Sequence, residues 1–112
     1  LDAYERVFRD YDIIISPVTA CNPVLNQNNG NTRGPKEING VAVEPVIGFT
    51  ETFLVNFVGY PAASVPIGLN TSGLPVGMQI IGKQYRDEDV LAVAHKFETI
   101  QPWSYDIPFS RM

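Results

Sequence analysis

The sequence predicts an α/β fold with about three strands and three helices. Three observations carry that expectation. Two stretches, 49–61 and 86–100, place apolar residues at helical intervals and carry signals at their ends. Ile13, Ile14 and Ile15 form a continuous β-branched run, the pattern of a strand buried on both faces. "AASVPIG" and "VGMQIIG" read as strands, and the connection between them is too short for anything but an antiparallel return.

The elements follow in order. "LDAYERVFRD" puts Leu1, Tyr4, Val7 and Phe8 on one stripe and reads as the final turns of a helix. "YDIIISPV" is the first strand, stopped at Ser16-Pro17. Residues 22–47 form a long polar loop, with five Asn and three Gly inside Asn26–Gly40 and no periodicity. "VAVEPV" at 41–46 adds at most a short extended piece, and a loop of this length usually serves function. In "FTETFLVNFVGYP", Thr50 is the expected N-cap. Phe53, Leu54, Phe57 and Val58 make the stripe, Gly59 suits the left-handed terminal position, and Pro61 ends the helix.

The first strand and the strand at 62–66 are separated by a helix, which predicts a parallel relation between them. In the last helix Asp87 is the expected N-cap, and Glu88 and Asp89 favour its dipole. Val90, Leu91, Ala94 and Phe97 are its expected buried face. The proline-punctuated tail "QPWSYDIPFSRM" is expected to pack its aromatics on a neighbour. Three strands are few for a complete sheet with covered faces, so the sheet is expected to continue in residues outside the chain or in a partner. The chain is read as a single segment, 1–112.

Composition narrows the function classes. Of 112 residues, 45% are hydrophobic, enough for a modest core. Eight Lys/Arg against twelve Asp/Glu give a net charge of −4, and no basic stripe appears, which argues against nucleic-acid phosphates as partners. There is no apolar run of membrane-spanning length and no signal-peptide pattern. The single Cys21 and single His95 rule out a disulfide framework and disfavour a Cys/His metal site. A cytoplasmic setting without metal or cofactor is expected.

"NFVGYPAASVPIGLNTSGLPVGMQIIGKQYRDEDVLAVAHKFE", 56–98, resembles the C-terminal region of the amidase signature family, and "YDIIISPVT" precedes it in the right order. The matching patterns are Asn56–Pro61 at a helix end, Val65-Pro66 at a strand end, and Gly73-Leu74-Pro75-Val76-Gly77-Met78-Gln79-Ile80-Ile81-Gly82. Val93-Ala94-His95 with Phe97-Glu98 follow on the last helix. The resemblance implies the C-terminal part of an α/β/α sandwich with a mixed sheet, in an enzyme that hydrolyses amides through an acyl-enzyme. It also implies a nucleophilic Ser activated through a second Ser and a Lys. Those residues belong to upstream motifs this sequence lacks; Lys36, Lys83 and Lys96 match none of them. No catalytic residue is therefore expected in the chain, which alone should be inactive. It would supply core and part of the pocket for a small amide substrate, with self-association possible where the sheet is incomplete.

The resemblance also bears on substrate. In glutamine-using amidotransferase members an acidic residue stands seven positions before the helix-end Asn, and here that position is Phe49. A general amidase with a more apolar substrate is favoured over the role of an amidotransferase's amidase-like subunit. A non-catalytic structural or oligomerising module, and an unrelated ligand-binding α/β domain, are the remaining alternatives.

The candidate pocket residues are Thr19, Cys21, Phe49 and Phe53. Thr19, like Ser16, lies where the first strand ends, and ligands of open α/β sheets gather at strand carboxyl ends. Cys21 reads as a buried small hydrophobe rather than a nucleophile, since no Cys-His-Asn arrangement accompanies it; Phe53 reads first as core, Phe49 equally as a pocket rim, and Tyr60 is a further candidate lining residue. Ser64 lies inside a strand rather than on an elbow and reads as filler. His95 is expected at the surface. Gly77 and Gly82 suggest close backbone approach. Gln79 either faces solvent or bonds a buried backbone group. Asn70-Thr71-Ser72 reads as turn chemistry rather than a glycosylation site.

Overall fold

A computed structural model describes residues 1–27, 30 and 32–103. The elements are α1 (Asp2–Asp10), β1 (Ile13–Pro17), β2 (Glu37–Ile38), β3 (Val41–Ala42), α2 (Phe53–Val58), β4 (Ala62–Leu69), β5 (Pro75–Gly82) and α3 (Asp87–Ile100). The expected tail packing falls, from residue 104 onward, outside the described residues.

Strand β5 is the centre of a three-stranded sheet of order β1-β5-β4, antiparallel on both sides. Its run Gln79-Ile80-Ile81-Gly82 is buried throughout, as a strand with neighbours on both edges and cover on both faces must be. The register sets the faces. Ile81 lies opposite Ile14 and Ala62, and Gln79 opposite Ser16 and Ser64. On that face α1 and α2 close a core of Phe8, Val55 and Ile81, with Tyr4, Ile14, Val58 and Tyr60 packed against it. Tyr60 stacks on Tyr4 at 5.6 Å between ring centroids and meets Phe8 at 5.4 Å. It packs against the core, and the cavity that Phe49 lines does not include it.

The opposite face carries α3, seated where Gly82 has no side chain. A Cβ at Gly82 would stand 2.6 Å from Val90 Cγ2 and 3.3 Å from the Arg86 carbonyl oxygen. Gly77 allows the same close approach to Val18, whose Cγ2 would lie 2.8 Å from a Cβ there. At the helix N-terminus the Arg86 guanidinium donates to the Asp89 carboxylate at 2.9 and 3.0 Å. That hydrogen bond holds the Asp89 carboxyl below its ordinary range. Its contribution is present above the ordinary carboxylate pKa and fades as pH falls through the lowered value; at this exposed site salt screens it.

Several local expectations are corrected by tertiary contacts. Strands β1 and β4 run in the same direction, as the intervening helix predicts, but β5 lies between them and they do not pair. Strand β1 is an edge, and α3 packs on β4 and β5, so Ile15 is 60% exposed rather than buried. Leu91 is likewise 66% exposed, while Val90 is buried and Ala94 and Phe97 are half-buried. Helix α3 begins at Asp87 itself, with Arg86 in the cap position.

Helix α2 starts later than the expected Thr50 cap requires, with Thr52 at its N-cap. Thr50 is instead drawn into a bridge with Thr19, where Glu51 N–H donates to the Val18 carbonyl at 2.9 Å. Gly59 ends the helix in the left-handed region at φ 69°, as expected. Within 22–47, β2 and β3 form a two-residue-turn hairpin through Asn39 and Gly40, both at positive φ. Ile38-Asn39-Gly40-Val41 is the standard signal for such a turn, which a reading for periodicity alone passes over.

Gln79 is the buried polar residue of the sheet, 3% exposed. Its Nε2 donates to Ser16 Oγ at 3.0 Å and to the Glu51 carbonyl at 3.3 Å, so it bonds a backbone group rather than facing solvent. Leucine at this position would leave the Glu51 carbonyl without its side-chain donor, a cost of about 1–3 kcal/mol. Chemical denaturation of Gln79→Leu should show that loss; an unchanged midpoint would mean the bond contributes nothing.

Candidate active-site wall

Beyond Pro17 the chain of β1 continues as a wall. Val18 N–H donates to the Gly77 carbonyl at 3.2 Å, and Ala20 N–H to the Phe49 carbonyl at 2.9 Å. These bonds, with the Thr19–Thr50 bridge, clip residues 49–51 to the carboxyl end of the strand. The approach to Phe49 is fixed by a tight turn. The Glu44 carboxylate accepts from Val46 N–H at 2.7 Å and Ile47 N–H at 2.9 Å, and Gly48 N–H donates to the Glu44 carbonyl at 2.7 Å. Glycine is required at 48, because a Cβ would stand 2.6 Å from the Glu44 nitrogen.

A cavity of about 350 Å³ opens against this wall. Thr19, Cys21 and Phe49 line it with Val18, Val24 and Val76. Three of the four candidate residues thus come together. Phe53 does not: it lies on α2, its ring edge-on to Phe57 at 6.1 Å. Cys21 is half-buried, not buried. Asn22, Pro23, Val24, Val76 and Gly77 also line the cavity and were not singled out by sequence as pocket residues. Their one signal is position, directly after Cys21 or at the start of the Gly-rich strand.

The lining is apolar, with polar groups gathered at Thr19 and Asn22. Thr19 Oγ1 donates to the Cys21 carbonyl at 3.0 Å, which holds the turn after the wall. Asn70 Nδ2 donates to Asn22 Oδ1 at 3.2 Å, tying the β4–β5 turn to the cavity mouth. Asn70 Oδ1 meanwhile accepts from the Ser72 and Leu74 backbone at 2.9 Å each, the turn chemistry expected of it. A second, more open cavity of about 490 Å³ shares Thr19, Cys21 and Asn22 and reaches Glu37 and Asn39.

Among the described residues, neither Ser16 nor Ser64 on the sheet is hydrogen-bonded to a base. Ser16 Oγ donates to the Pro17 carbonyl at 3.2 Å and accepts from Gln79. Ser64 sits mid-strand opposite Gln79, and no hydrogen bond ties it to a base among the described residues. His95 is exposed on α3. Among the described residues no three of His, Cys, Asp or Glu form a group that could hold a metal ion, and no helix is long and apolar enough to cross a membrane. The geometry offers an apolar recess with a polar rim, able to bind and orient a small ligand.

A family described as Amidase matches residues 1–91. The chain is similar to the A subunit of glutamyl-tRNA(Gln) amidotransferase from Wolinella succinogenes, 37% identical over 95 residues, covering 85% of this chain and 19% of that protein. It is 36% identical over 108 residues to the protein of the same description from Lacticaseibacillus casei, covering 94% and 20%. Among solved structures it resembles a bacterial aryl acylamidase of the amidase signature family. The TM-score is 0.86 and the identity 47%, over 91% of this chain and 21% of that one. The chain spans about a fifth of the length of the relatives it matches.

Proposed function

The chain belongs to the amidase family, and on that premise we propose that it forms the C-terminal wall of an amide-hydrolysing site. The observation that carries the reading is the recess where β1 ends, lined by Thr19, Cys21 and Phe49 on an amidase-type sheet. The wall binds the apolar part of a small amide. In this reading the nucleophilic Ser, its partner Ser and the Lys are supplied by the upstream motifs that the family resemblance implies and this sequence lacks. The upstream Ser oxygen bonds the amide carbon, the C–N bond breaks and the amine leaves with a proton. Water then releases the acid and restores the Ser.

The unfinished surfaces support a structural role in the same enzyme. Strands β1 and β4 are both edges among the described residues, and Phe57 on α2 is 81% exposed. Upstream strands and helices of an amidase would cover them; a second copy of the chain is the other occupant compatible with open edges. A cytoplasmic setting, no cofactor and no nucleic-acid partner complete the proposal.

Membership of an amidotransferase complex is the second reading, favoured by the descriptions of the relatives. Phe49 speaks against it, since a phenyl ring offers no charge partner to the amino group of glutamine. Glutamine hydrolysis by a longer protein carrying this chain would favour it.

Incubated alone with acetanilide and with a serine-reactive fluorophosphonate, the 112-residue chain should release no aniline and gain no mass. A one-to-one adduct on any hydroxyl, or on Cys21, would show that a nucleophile resides here and overturn the reading.

A further inference from the structure

The Phe49 ring does more than line the recess. A Cβ built on Gly34 would lie 2.5 Å from Phe49 Cε1 and 2.7 Å from Cγ, so the ring rests directly over the Gly34 α-carbon. Gly34 is not in the left-handed region. Its backbone would accept an L-residue, and the three atoms nearest to a Cβ there all belong to the phenyl ring. Neither backbone is free to yield. Gly34 N–H donates to the Pro45 carbonyl at 2.7 Å, and the Phe49 carbonyl accepts from Ala20 at 2.9 Å.

The contact also divides space. Phe49 lines the recess of about 350 Å³, whereas Gly34 lines an adjoining cavity of about 450 Å³. Residues Cys21 to Val24 line both. Phe49 lines only the first of these volumes and Gly34 only the second, so their contact is a candidate partition between the two.

We propose that the bare backbone at Gly34 determines substrate size by seating the Phe49 ring as this partition, so that the recess takes amides carrying one compact apolar ring. This rests on the reading of the recess as a substrate site. Any side chain at 34 must push the ring away from Gly34, toward the recess it lines. Removing the ring joins the two cavities. Gly34 thereby lets the polar loop 22–47 act on specificity from outside the recess, through the ring it seats.

The test measures binding of acetanilide and of N-(1-naphthyl)acetamide by NMR titration, following the methyls of Val18, Val24 and Val76. The proteins are the complete chain and its Gly34→Ala, Phe49→Ala and doubly substituted forms. The unaltered chain should prefer acetanilide. Gly34→Ala should weaken acetanilide about tenfold, the scale of a misfit of one methylene in an apolar pocket. Phe49→Ala should narrow or reverse the preference. In the Phe49→Ala background, Gly34→Ala should have no further effect, because the ring it displaces is gone.

An equal loss from Gly34→Ala with and without the ring overturns the proposal, as does unchanged acetanilide binding in Gly34→Ala. If neither amide shifts those methyls in the unaltered chain, the substrate-site reading fails first, and this inference with it.

Discussion

Exchanged for the matched fifth of the bacterial aryl acylamidase, residues 1–103 should give a hybrid that hydrolyses acetanilide within about tenfold of the parent kcat/KM, a barrier change of about 1.4 kcal/mol. The acylamidase lacking that fifth should be inactive. The expectation follows from geometry. The two backbones superpose with a TM-score of 0.86 at 47% identity, so the sheet order and the wall beyond β1 should enter the parent in register. Catalysis then depends on whether the wall holds the amide in line with the parent's nucleophile, where a misplacement of about 1 Å can cost about a hundredfold. The close contacts at Gly77 and Gly82 fix β5 against Val18 and α3, which opposes such a misplacement short of unfolding. Hydrolysis of acetanilide measures the outcome. A hybrid that is monodisperse and folded by circular dichroism, yet inactive, would show that this chain's wall does not serve an amidase site.

Truncating Ile81 to alanine should destabilise the chain by about 3 kcal/mol, within the range of about 2–5 kcal/mol for such changes in well-packed cores. Ile81 is buried at the centre of the sheet and joins α1, α2 and β1 through Phe8, Val55 and Ile14. The neighbouring strands hold its Cα in place from both sides, so the surroundings cannot collapse to fill the lost volume. Ile81→Val removes one methylene and should cost about 1 kcal/mol. Urea titration distinguishes the two variants. Equal, small losses would mean that this core is loosely packed, and the account of the sheet as a rigid platform for the wall would fall with it. At exposed Leu91 the same truncation should change little, because its side chain removes little area from water on folding.

What could be read in the sequence was local or repetitive. Gly59 marked the end of α2 because only a residue without Cβ adopts φ 69° cheaply. The short link between 62–68 and 76–82 left only an antiparallel hairpin. The Asn56–Gly82 patterns identified the family, because each pattern fixes a turn, a cap or a close approach that the fold needs. Thr19, Cys21 and Phe49, singled out from their place after a strand and before a helix, line one cavity. Phe53, singled out with them, is not among the residues lining that cavity, because helical spacing assigns a residue to a stripe without saying which part of that stripe meets a cavity.

The hairpin, the helix end at Gly59, the family and the lack of a Ser-Lys motif within the chain are written in the order of the residues, since these depend on neighbours along the chain. That β5 lies between β1 and β4, that Thr50 pairs with Thr19 instead of capping α2, and that Phe49 rests on Gly34 emerge only once the chain is folded. Those outcomes are set by hydrogen bonds and packing between residues far apart in sequence. Summed over a strand or a packed face, such contacts outweigh the roughly 1 kcal/mol or less by which local propensities differ.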